Sequence, residues 1–343
     1  MTALIDPQKI PQRILPDGAK IPCIGMGTFG SDRYTPGQVA EAVAGAIRCG
    51  YRLFDCAAVY GNERLIGDVF QAAIEEGAVK REDLYITSKV WNDKHGEGDV
   101  LLSCAQSLHD LKLDYIDAYF VHWPFPNYHA PGCDGDSRNP DSRPFFVEDF
   151  MATWRQMERL VEMRSVRHIA MSNMTIPKLE AVLPLCSIQP ALIEMELHPS
   201  FQQPELYAYC VERNILPVGF CPIGSPSRPE RDKTPDDVVD IEMPEVVKIA
   251  KAHNVHPAIV CLKWAVQRGQ VPIPFSTRKE NYLDNLRCVT EDFLTEEEMA
   301  LLAGADKNCR LIKGQVFLWE GASSWKNLWD LEGVIDRSGW AKA

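Results

Sequence analysis

The sequence predicts an α/β fold of eight strand–helix units, preceded by a β-hairpin and followed by a long C-terminal loop. Short apolar runs alternate with longer stretches of helical periodicity, which is typical of parallel strands joined by crossover helices. Eight such units can close into a (β/α)₈ TIM barrel, and an open sheet is the structural alternative. No G-x-G-x-x-G follows a strand, so the main signal for a dinucleotide-binding open sheet is missing. The predicted strands are Ile24–Thr28, Leu53–Asp55, Leu84–Lys89, Ala118–His122, His168–Ser172, Leu192–Glu196, Leu216–Phe220 and Val271–Pro274.

The remaining elements follow the same pattern. Pro16, Asp17 and Gly18 supply turn chemistry between two short extended runs, which predicts the N-terminal hairpin. Three segments exceed ordinary loop length, namely 124–144, 222–243 and about 307–343, and long loops in a compact domain are usually functional or disordered. The last contains four of the eight tryptophans, which favours a docked tail over a disordered one. The predicted helices are Pro36–Cys49, Glu63–Glu76, Leu101–Leu111, Val147–Met163, Ile176–Leu185, Pro204–Arg213 and Pro257–Gln267.

Composition excludes several classes of protein. The 343 residues are 45% hydrophobic and 24% charged, which is ordinary globular usage and allows one large domain or two. A net charge of −12 argues against nucleic acid or an anionic membrane as the main partner. No apolar run reaches the ~18 residues of a membrane span, and the N-terminus does not read as a secretory signal. The eleven cysteines are scattered without a C-x-x-C, so we expect reduced thiols in a cytoplasmic protein.

Ionisable side chains end three consecutive predicted strands. Asp55 ends the second strand and is followed closely by Tyr60, Lys89 ends the third, and His122 ends the fourth. Because catalytic residues of a barrel lie at the carboxyl ends of its strands, we expect the four to meet at one mouth. Each alone has an ordinary structural explanation, but their joint placement on neighbouring strands is much harder to explain by chance.

The chemistry of these four side chains fits together. An ammonium near a phenol lowers the phenol pKa, and a buried carboxylate can hold the ammonium in place. A neutral imidazole beside them can donate a hydrogen bond to a substrate carbonyl, so the group can protonate an oxygen that gains negative charge. No nucleophile with its base and no metal-ligand spacing is present. Reduction of a carbonyl requires a hydride from elsewhere, which implies a nicotinamide cofactor.

The segments GYRLFDCAAVYGNE, ITSKVW and LKLDYIDAYFVHWP, in this order, resemble the aldo-keto reductase superfamily, in particular its aldose reductase branch. The resemblance runs from about Arg13 to Leu302. It implies one barrel domain over residues 1–343 and NAD(P)H-dependent reduction of a carbonyl. It also implies that Asp55, Tyr60, Lys89 and His122 form the catalytic tetrad, with Tyr60 as general acid.

The same resemblance implies the cofactor site. Ser172 and Asn173 match positions that hydrogen-bond the nicotinamide carboxamide, Phe220 replaces the usual stacking Tyr, and the loop after it matches the pyrophosphate-binding segment. The segment IPFSTRKENYLDNL matches the region that holds the adenosine and its phosphate. The expected cofactor residues are Gly27, Thr28, Phe29, Asp55, Ser172, Asn173, Glu194, Phe220, Cys221, Ile223, Ser225, Ser227, Pro274, Phe275, Ser276, Thr277, Arg278, Asp284 and Asn285.

Three departures from the family pattern bear on the cofactor. Glu194 stands where Gln is common, and an ionised carboxylate there would favour the positively charged oxidised nicotinamide. Phe275 and Asn281 stand where NADPH-preferring relatives often have Lys and Arg. Arg278 and Lys279 can restore positive charge near a 2′-phosphate, so we expect NADP(H), with NAD(H) as the alternative.

We expect an aromatic substrate pocket with few charges, which suits small sugar, aliphatic or aromatic aldehydes. Its expected residues are Phe29, Trp91, His122, Trp123, Phe125 and Trp319, with Trp325 more loosely placed. A cofactor-binding regulatory subunit with little turnover is the alternative function, which the complete tetrad disfavours. A metal-dependent hydrolase using His122, His129 and Cys133 is disfavoured because clustered strand-end carboxylates are missing, so we expect no metal. The sequence leaves monomer and dimer open.

Overall fold

The computed structural model describes residues 3–31, 33–129 and 139–332. Eight parallel strands lie side by side in chain order, from Met26–Gly27 (β3) to Val271–Pro272 (β10), and consecutive strands pair directly. The strands are β1 (Gln12–Ile14), β2 (Lys20–Pro22), β3 (Met26–Gly27), β4 (Leu53–Asp55), β5 (Tyr85–Val90), β6 (Ile116–Val121), β7 (Val166–Ser172), β8 (Leu192–Glu196), β9 (Leu216–Phe220) and β10 (Val271–Pro272).

The first and last strands of this sheet also meet. The Gly25 N–H donates to the Pro272 carbonyl at 3.0 Å, and the Gly27 N–H donates to the Pro274 carbonyl at 3.1 Å. The predicted (β/α)₈ barrel is therefore confirmed over the open sheet. β10 is shorter than predicted because Pro272 and Pro274 have no N–H to donate, although their carbonyls accept hydrogen bonds.

An antiparallel hairpin of β1 and β2 closes the amino-terminal end of the barrel. Asp17 accepts the Ala19 N–H at 3.0 Å, and Gly18 has a φ of +87°, as the turn chemistry predicts. Leu15 and Ile21 of the hairpin pack against the side chains that fill the barrel interior, among them Leu53, Ala118, Phe120, Leu192 and Val271. The hairpin thus closes the interior at one end, and the opposite end carries the site.

Helices cover the outside of the barrel and bury its outward-facing strand residues. Thr35 caps the first helix with a reciprocal Gln38 contact, so that helix begins where the sequence predicts. The fifth helix ends earlier than predicted, and a 3₁₀ turn continues it at Leu183–Leu185. The helices are α1 (Pro36–Cys49), α2 (Glu63–Glu75), α3 (Asp99–Leu111), α4 (Val147–Glu162), α5 (Ile176–Val182), α6 (Pro204–Glu212), α7 (Pro244–His253), α8 (Pro257–Arg268), α9 (Lys279–Arg287) and α10 (Glu296–Ala303).

The described parts of the long segments lie around the carboxyl ends of the strands. We call residues 222–243 the β9 loop and residues 307–332 the C-terminal segment. Of the predicted loop 124–144, the part 130–138 lies outside the described residues, as do Cys133 and the tail beyond residue 332 with Trp340. No helix in the described part of the chain has the length and apolar character needed to cross a membrane.

Candidate active site

A buried ion pair joins the ends of β4 and β5. Asp55 pairs in register with Thr87, so Lys89, two residues further along β5, points to the same side of the sheet. The Lys89 Nζ lies 2.5 Å from both carboxylate oxygens of Asp55 and donates to the Cys56 carbonyl at 3.2 Å. Thr87 donates its hydroxyl to Asp55 at 2.7 Å. Since Lys89 is wholly buried, this network fixes its position at the floor of the site.

Tyr60 follows β4 on a short 3₁₀ turn, Ala58–Tyr60, which Gly61 ends in the left-handed conformation. The centre of its ring lies 5.6 Å from the Lys89 Nζ. Burial raises the pKa of Tyr60, and the ammonium of Lys89 lowers it by a smaller amount. Lys89 thus lowers the pKa of Tyr60 as the sequence predicts. The net shift of the pKa is nevertheless upward, because the effect of burial is larger. The phenol keeps its proton at neutral pH and can donate it.

His122 follows β6 directly and stands edge-on to Tyr60, with ring centres 5.9 Å apart at 81°. Burial lowers the pKa of His122 well below its usual value, and repulsion from Lys89 and His129 adds to the shift. The imidazole is therefore neutral and able to donate one hydrogen bond. The structure thus brings the four predicted catalytic side chains to one end of the barrel.

Glu194 on β8 brings a second carboxylate to Lys89. Its Oε2 lies 3.3 Å from the Lys89 Nζ, which is farther than either oxygen of Asp55, and has no other polar partner among the described residues. Burial and the negative charge of Asp55 raise the pKa of Glu194 to about 8, against the opposing charge of Lys89. Near neutral pH, a large fraction of Glu194 therefore carries a proton.

Two neighbouring residues offer polar groups to a ligand. Ser172 pairs with Glu194 across β7 and β8, and Asn173 follows with a φ of +58°. The Asn173 side-chain amide donates to the His122 carbonyl at 2.9 Å, while its Oδ1 is buried with no partner among the described residues. Buried polar atoms are normally paired, so the unpartnered Oδ1 of Asn173 suits a ligand that donates hydrogen bonds, such as a carboxamide.

These groups line one cleft with a volume of about 470 Å³. Lys89 lies beneath the cleft, against Asp55. The cleft runs from the tetrad, past the β9 loop, to the segment after β10. Its predicted lining residues are Gly27, Thr28, Phe29, Asp55, Tyr60, Trp91, His122, Trp123, Ser172, Asn173, Glu194, Phe220, Cys221, Ile223, Ser225, Ser227, Pro274, Phe275, Ser276 and Arg278.

Other predicted residues lie beside the cleft and stay predictions. Asp284 forms an exposed ion pair with Arg287 at 2.9 Å on α9, and Asn285 is buried in the same helix. Thr277 precedes Arg278 and does not line the cleft. Phe125 and Trp319 belong to a cluster of aromatic and aliphatic side chains behind its wall, as does Trp325.

The end of the cleft near Tyr60 is walled by rings. Trp91 packs edge-on to His122, with ring centres 5.0 Å apart, and also contacts His129 at 5.8 Å. Phe317 of the C-terminal segment lies 4.5 Å from Trp123 and 5.3 Å from His129, again between ring centres. This wall is apolar apart from the two imidazoles.

The sequence-based prediction missed part of the lining. Arg228 and Asp232 come from the β9 loop, Tyr34 from the loop after β3, and Ile312 and Phe317 from the C-terminal segment. The sequence gives little indication that these residues line the cleft, because hydrophobic periodicity predicts strands and helices but not the path of a long loop. Clustered aromatic residues in the tail were the available clue for Phe317.

A buried histidine ties two of these loops together and was also missed. The His198 Nε2 lies 2.9 Å from Glu196 and its Nδ1 lies 2.9 Å from Asp240 of the β9 loop. Glu196 also accepts the backbone N–H groups of Leu311 and Ile312 at 2.7 and 2.9 Å. Burial alone would lower the pKa of His198, but Asp240 and Glu196 outweigh it and raise it to about 9. A charged His198 thus joins β8, the β9 loop and the C-terminal segment.

No group of three or more His, Cys, Asp or Glu side chains in the described ranges is arranged to hold a metal ion. Of the residues weighed for a metal site, His122 and His129 both contact the ring of Trp91.

The fold and the site together define a class of protein. It is a closed (β/α)₈ barrel with acid–base groups, a cluster of Tyr, Lys, Asp and His, at the carboxyl ends of its strands and a long cleft beside them. Comparison with known proteins gives the family. The family model described as "Aldo/keto reductase family" matches residues 23–307, and the chain belongs to this family.

Individual relatives match over most of their length. An aldo-keto reductase family 1 member A1 from Gallus gallus is 42% identical over 300 residues, which cover 86% of this chain and 89% of the relative. An aldo/keto reductase from Synechocystis is 38% identical over 317 residues, with 92% and 95% covered. A solved structure of a Bombyx mori aldo-keto reductase in complex with NADP has a TM-score of 0.77 and 30% identity, covering 91% of this chain and 95% of its own.

Proposed function

We propose that this protein reduces an aldehyde or ketone to an alcohol with NADP(H), and that Tyr60 donates the proton. The observation that carries the proposal is the convergence of Tyr60, Lys89, Asp55 and His122 at the floor of one cleft. The family membership supports the reaction class, and the NADP complex of the Bombyx mori relative supports the cofactor. The expected cytoplasmic location belongs to the same proposal.

Bound NADPH supplies the hydride in this reaction. Tyr60 supplies the proton to the carbonyl oxygen, because its buried phenol is neutral and faces the cleft. The Lys89 ammonium beneath the ring stabilises the phenolate that remains, and Asp55 holds that ammonium in place. The neutral His122 imidazole orients the carbonyl oxygen through a donated hydrogen bond.

The cofactor fits the rest of the cleft. The Asn173 Oδ1 and the Glu194 carboxylate can accept from the carboxamide NH₂, and the Phe220 ring can stack on the nicotinamide. Cys221 and Ser225, both with positive φ, shape the loop that would follow the pyrophosphate. The remaining cofactor residues proposed here are those named from the sequence.

Preference for NADP(H) over NAD(H) depends on the end of the cleft after β10. Ser276 and Arg278 line the cleft there and can bind a 2′-phosphate through a hydroxyl and a guanidinium. Comparing KM for NADPH and NADH tests this point, and a clear preference for NADH would overturn it.

The ring wall favours small carbonyl substrates without a required anionic group. Trp91, Trp123 and Phe317 present apolar faces beside Tyr60 and His122, and such faces also pack against the CH groups of sugars. Small sugar, aliphatic and aromatic aldehydes are therefore the substrate panel to test first.

The decisive experiment combines a fluorescence titration with NADPH and turnover of this aldehyde panel. In Tyr60→Phe we expect kcat to fall by ~100-fold or more, the usual contribution of a general acid, with NADPH affinity unchanged. Full activity in Tyr60→Phe would overturn the mechanism. Cofactor binding without turnover of any carbonyl by the wild type would favour the regulatory-subunit alternative.

A further inference from the structure

We propose that Glu194 is a proton-controlled selector between the two oxidation states of the cofactor. When ionised, its carboxylate favours the cationic oxidised nicotinamide, and when protonated it does not. The inference rests on the proposed function, since it needs the nicotinamide to lie at the tetrad end of the cleft.

The geometry leaves the Glu194 charge without full compensation. Lys89 is the one ammonium at this position among the described residues, and both oxygens of Asp55 already lie 2.5 Å from it. Asp55 has a second donor in Thr87. Glu194 reaches the same ammonium only at 3.3 Å, through a single oxygen. One positive charge therefore faces two carboxylates, and Glu194 is the less compensated of the two.

A neighbouring carboxylate on the same strand shows the contrast. Glu196 points to the same side of β8 and is also wholly buried. It is paired with His198 and accepts two backbone N–H groups, so its negative charge is satisfied within the protein. Glu194 accepts no such backbone groups and pairs with no histidine, and its side chain lines the cleft.

Few other groups around Glu194 titrate near neutral pH. From the β4 side, Asp55 and Tyr60 face it, and burial keeps the pKa of Tyr60 above its usual value. From β5, Lys89 faces it: burial lowers the pKa of Lys89, but the charges of Asp55 and Glu194 together outweigh burial and raise that pKa above its usual value. From the end of β6, His122 has a pKa well below the usual value because it is buried. The adjacent strands β7 and β9 contribute Ser172, Asn173, Val218, Phe220 and Cys221, and burial raises the pKa of the Cys221 thiol. His129 packs against Trp91, with ring centres 5.8 Å apart.

The direction of the effect follows from charge. A cationic ring next to Glu194 stabilises the ionised carboxylate, so binding of the oxidised cofactor releases a proton near neutral pH. The reduced ring is neutral and brings no such stabilisation. The affinity for NADP⁺ relative to NADPH must therefore rise as pH rises through the range in which Glu194 ionises, and it must be flat where the residue is uncharged.

The test measures Kd for NADP⁺ and for NADPH by quenching of tryptophan fluorescence, from about pH 6.5 to about pH 9. Both nucleotides carry the same 2′-phosphate, so its titration cancels in the ratio of the two constants. In the wild type we expect the preference for NADP⁺ to grow by about tenfold across this range, which corresponds to ~1.4 kcal/mol. In Glu194→Gln, which keeps the shape but cannot ionise, we expect both nucleotides to bind with a ratio independent of pH.

Glu63→Gln provides a matched control. Glu63 is also a buried carboxylate, hydrogen-bonded to Ser88 and Ser107 away from the cleft, and burial raises its pKa. This variant should keep the wild-type pH dependence. An unchanged pH dependence in Glu194→Gln, or a flat ratio in the wild type, would overturn the role of Glu194. If neither nucleotide binds the wild type at any pH, the proposed function fails, and this inference fails with it.

Discussion

Buried ionisable side chains in this molecule carry or lose their charge according to the partners around them. Glu194 and Glu196 are two residues apart on β8, yet their pKa values shift in opposite directions. Burial raises the pKa of Glu194, whereas His198 and backbone N–H groups lower the pKa of Glu196 against the effect of burial. His198 is the reverse of His122, since two carboxylates keep it charged although it is wholly buried. Net charge at a buried position is thus a property of the contact set, not of the residue type.

His198 predicts a pH dependence of stability. Its pKa in the folded protein, about 9, lies above the ordinary value of 6.5, so its stabilising contribution is complete below about pH 6.5 and disappears as pH rises through about 9. We expect the difference in unfolding free energy between wild type and His198→Gln to shrink by roughly 3 kcal/mol over that range. Urea denaturation at a series of pH values measures it.

His109→Gln serves as the control, because His109 lies on the exposed face of α3. We expect that variant to remain within about 0.5 kcal/mol of wild type. A wild-type–His198→Gln difference that stays constant from pH 6.5 to pH 9 would contradict a charged His198.

The C-terminal segment is the element that completes the cleft. It contributes Ile312, Gly314, Val316 and Phe317 to the lining. A buried lysine on α5, Lys178, holds its far end by donating to the Leu328 carbonyl at 2.8 Å and to Asp330 at 2.5 Å. Trp329 adds a hydrogen bond to the Lys313 carbonyl at 2.9 Å. The wall beside the substrate therefore depends on contacts remote from the tetrad.

Lys178→Met should loosen this segment without touching the tetrad. Losing a buried charged donor weakens docking by ~1–3 kcal/mol. We expect KM for a bulky aromatic aldehyde to rise by about threefold to tenfold, with kcat nearly unchanged, and limited proteolysis of the segment to become faster.

The control for the segment is Lys326→Met. Lys326 is half-exposed and pairs with Glu332 at 3.6 Å, a type of contact that contributes little to stability. Equal KM values for wild type and Lys178→Met would show that Lys178 does not support the wall.

In the molecule as a whole, the residues that close the barrel interior and the residues of the tetrad lie at opposite ends of the barrel. The hairpin packs Leu15 and Ile21 into the amino-terminal end of the interior, while the tetrad lies at the carboxyl ends of the strands. Substitutions at the hairpin end should therefore change the free energy of unfolding, whereas substitutions at the tetrad end should change kcat.

Leu15→Ala tests this separation. Leu15 is 3% exposed, so its truncation leaves a cavity and should cost ~2–5 kcal/mol of unfolding free energy, with kcat unchanged under conditions where the protein is folded. Chemical denaturation and steady-state kinetics measure the two quantities.

The neighbouring residue supplies the comparison. Ile14, the last residue of β1, is 70% exposed, and Ile14→Ala should change stability by no more than about 0.5 kcal/mol. A loss of kcat in folded Leu15→Ala would argue against independent ends.

The sequence by itself determined the order of the eight parallel strands and of most helices, the hairpin turn at Asp17 and Gly18, and the placement of the predicted tetrad residues at or just after strand ends. These are local properties, because hydrophobic periodicity sets the elements and the parallel alternation places strand ends at one mouth. The tertiary structure decided three further features: the position of the aromatic C-terminal segment at the cleft, the charge on His198, and the placement of a second carboxylate, Glu194, beside Lys89. They arise where the β9 loop, the C-terminal segment and β8 meet, since burial and partners from distant parts of the chain set both loop position and pKa.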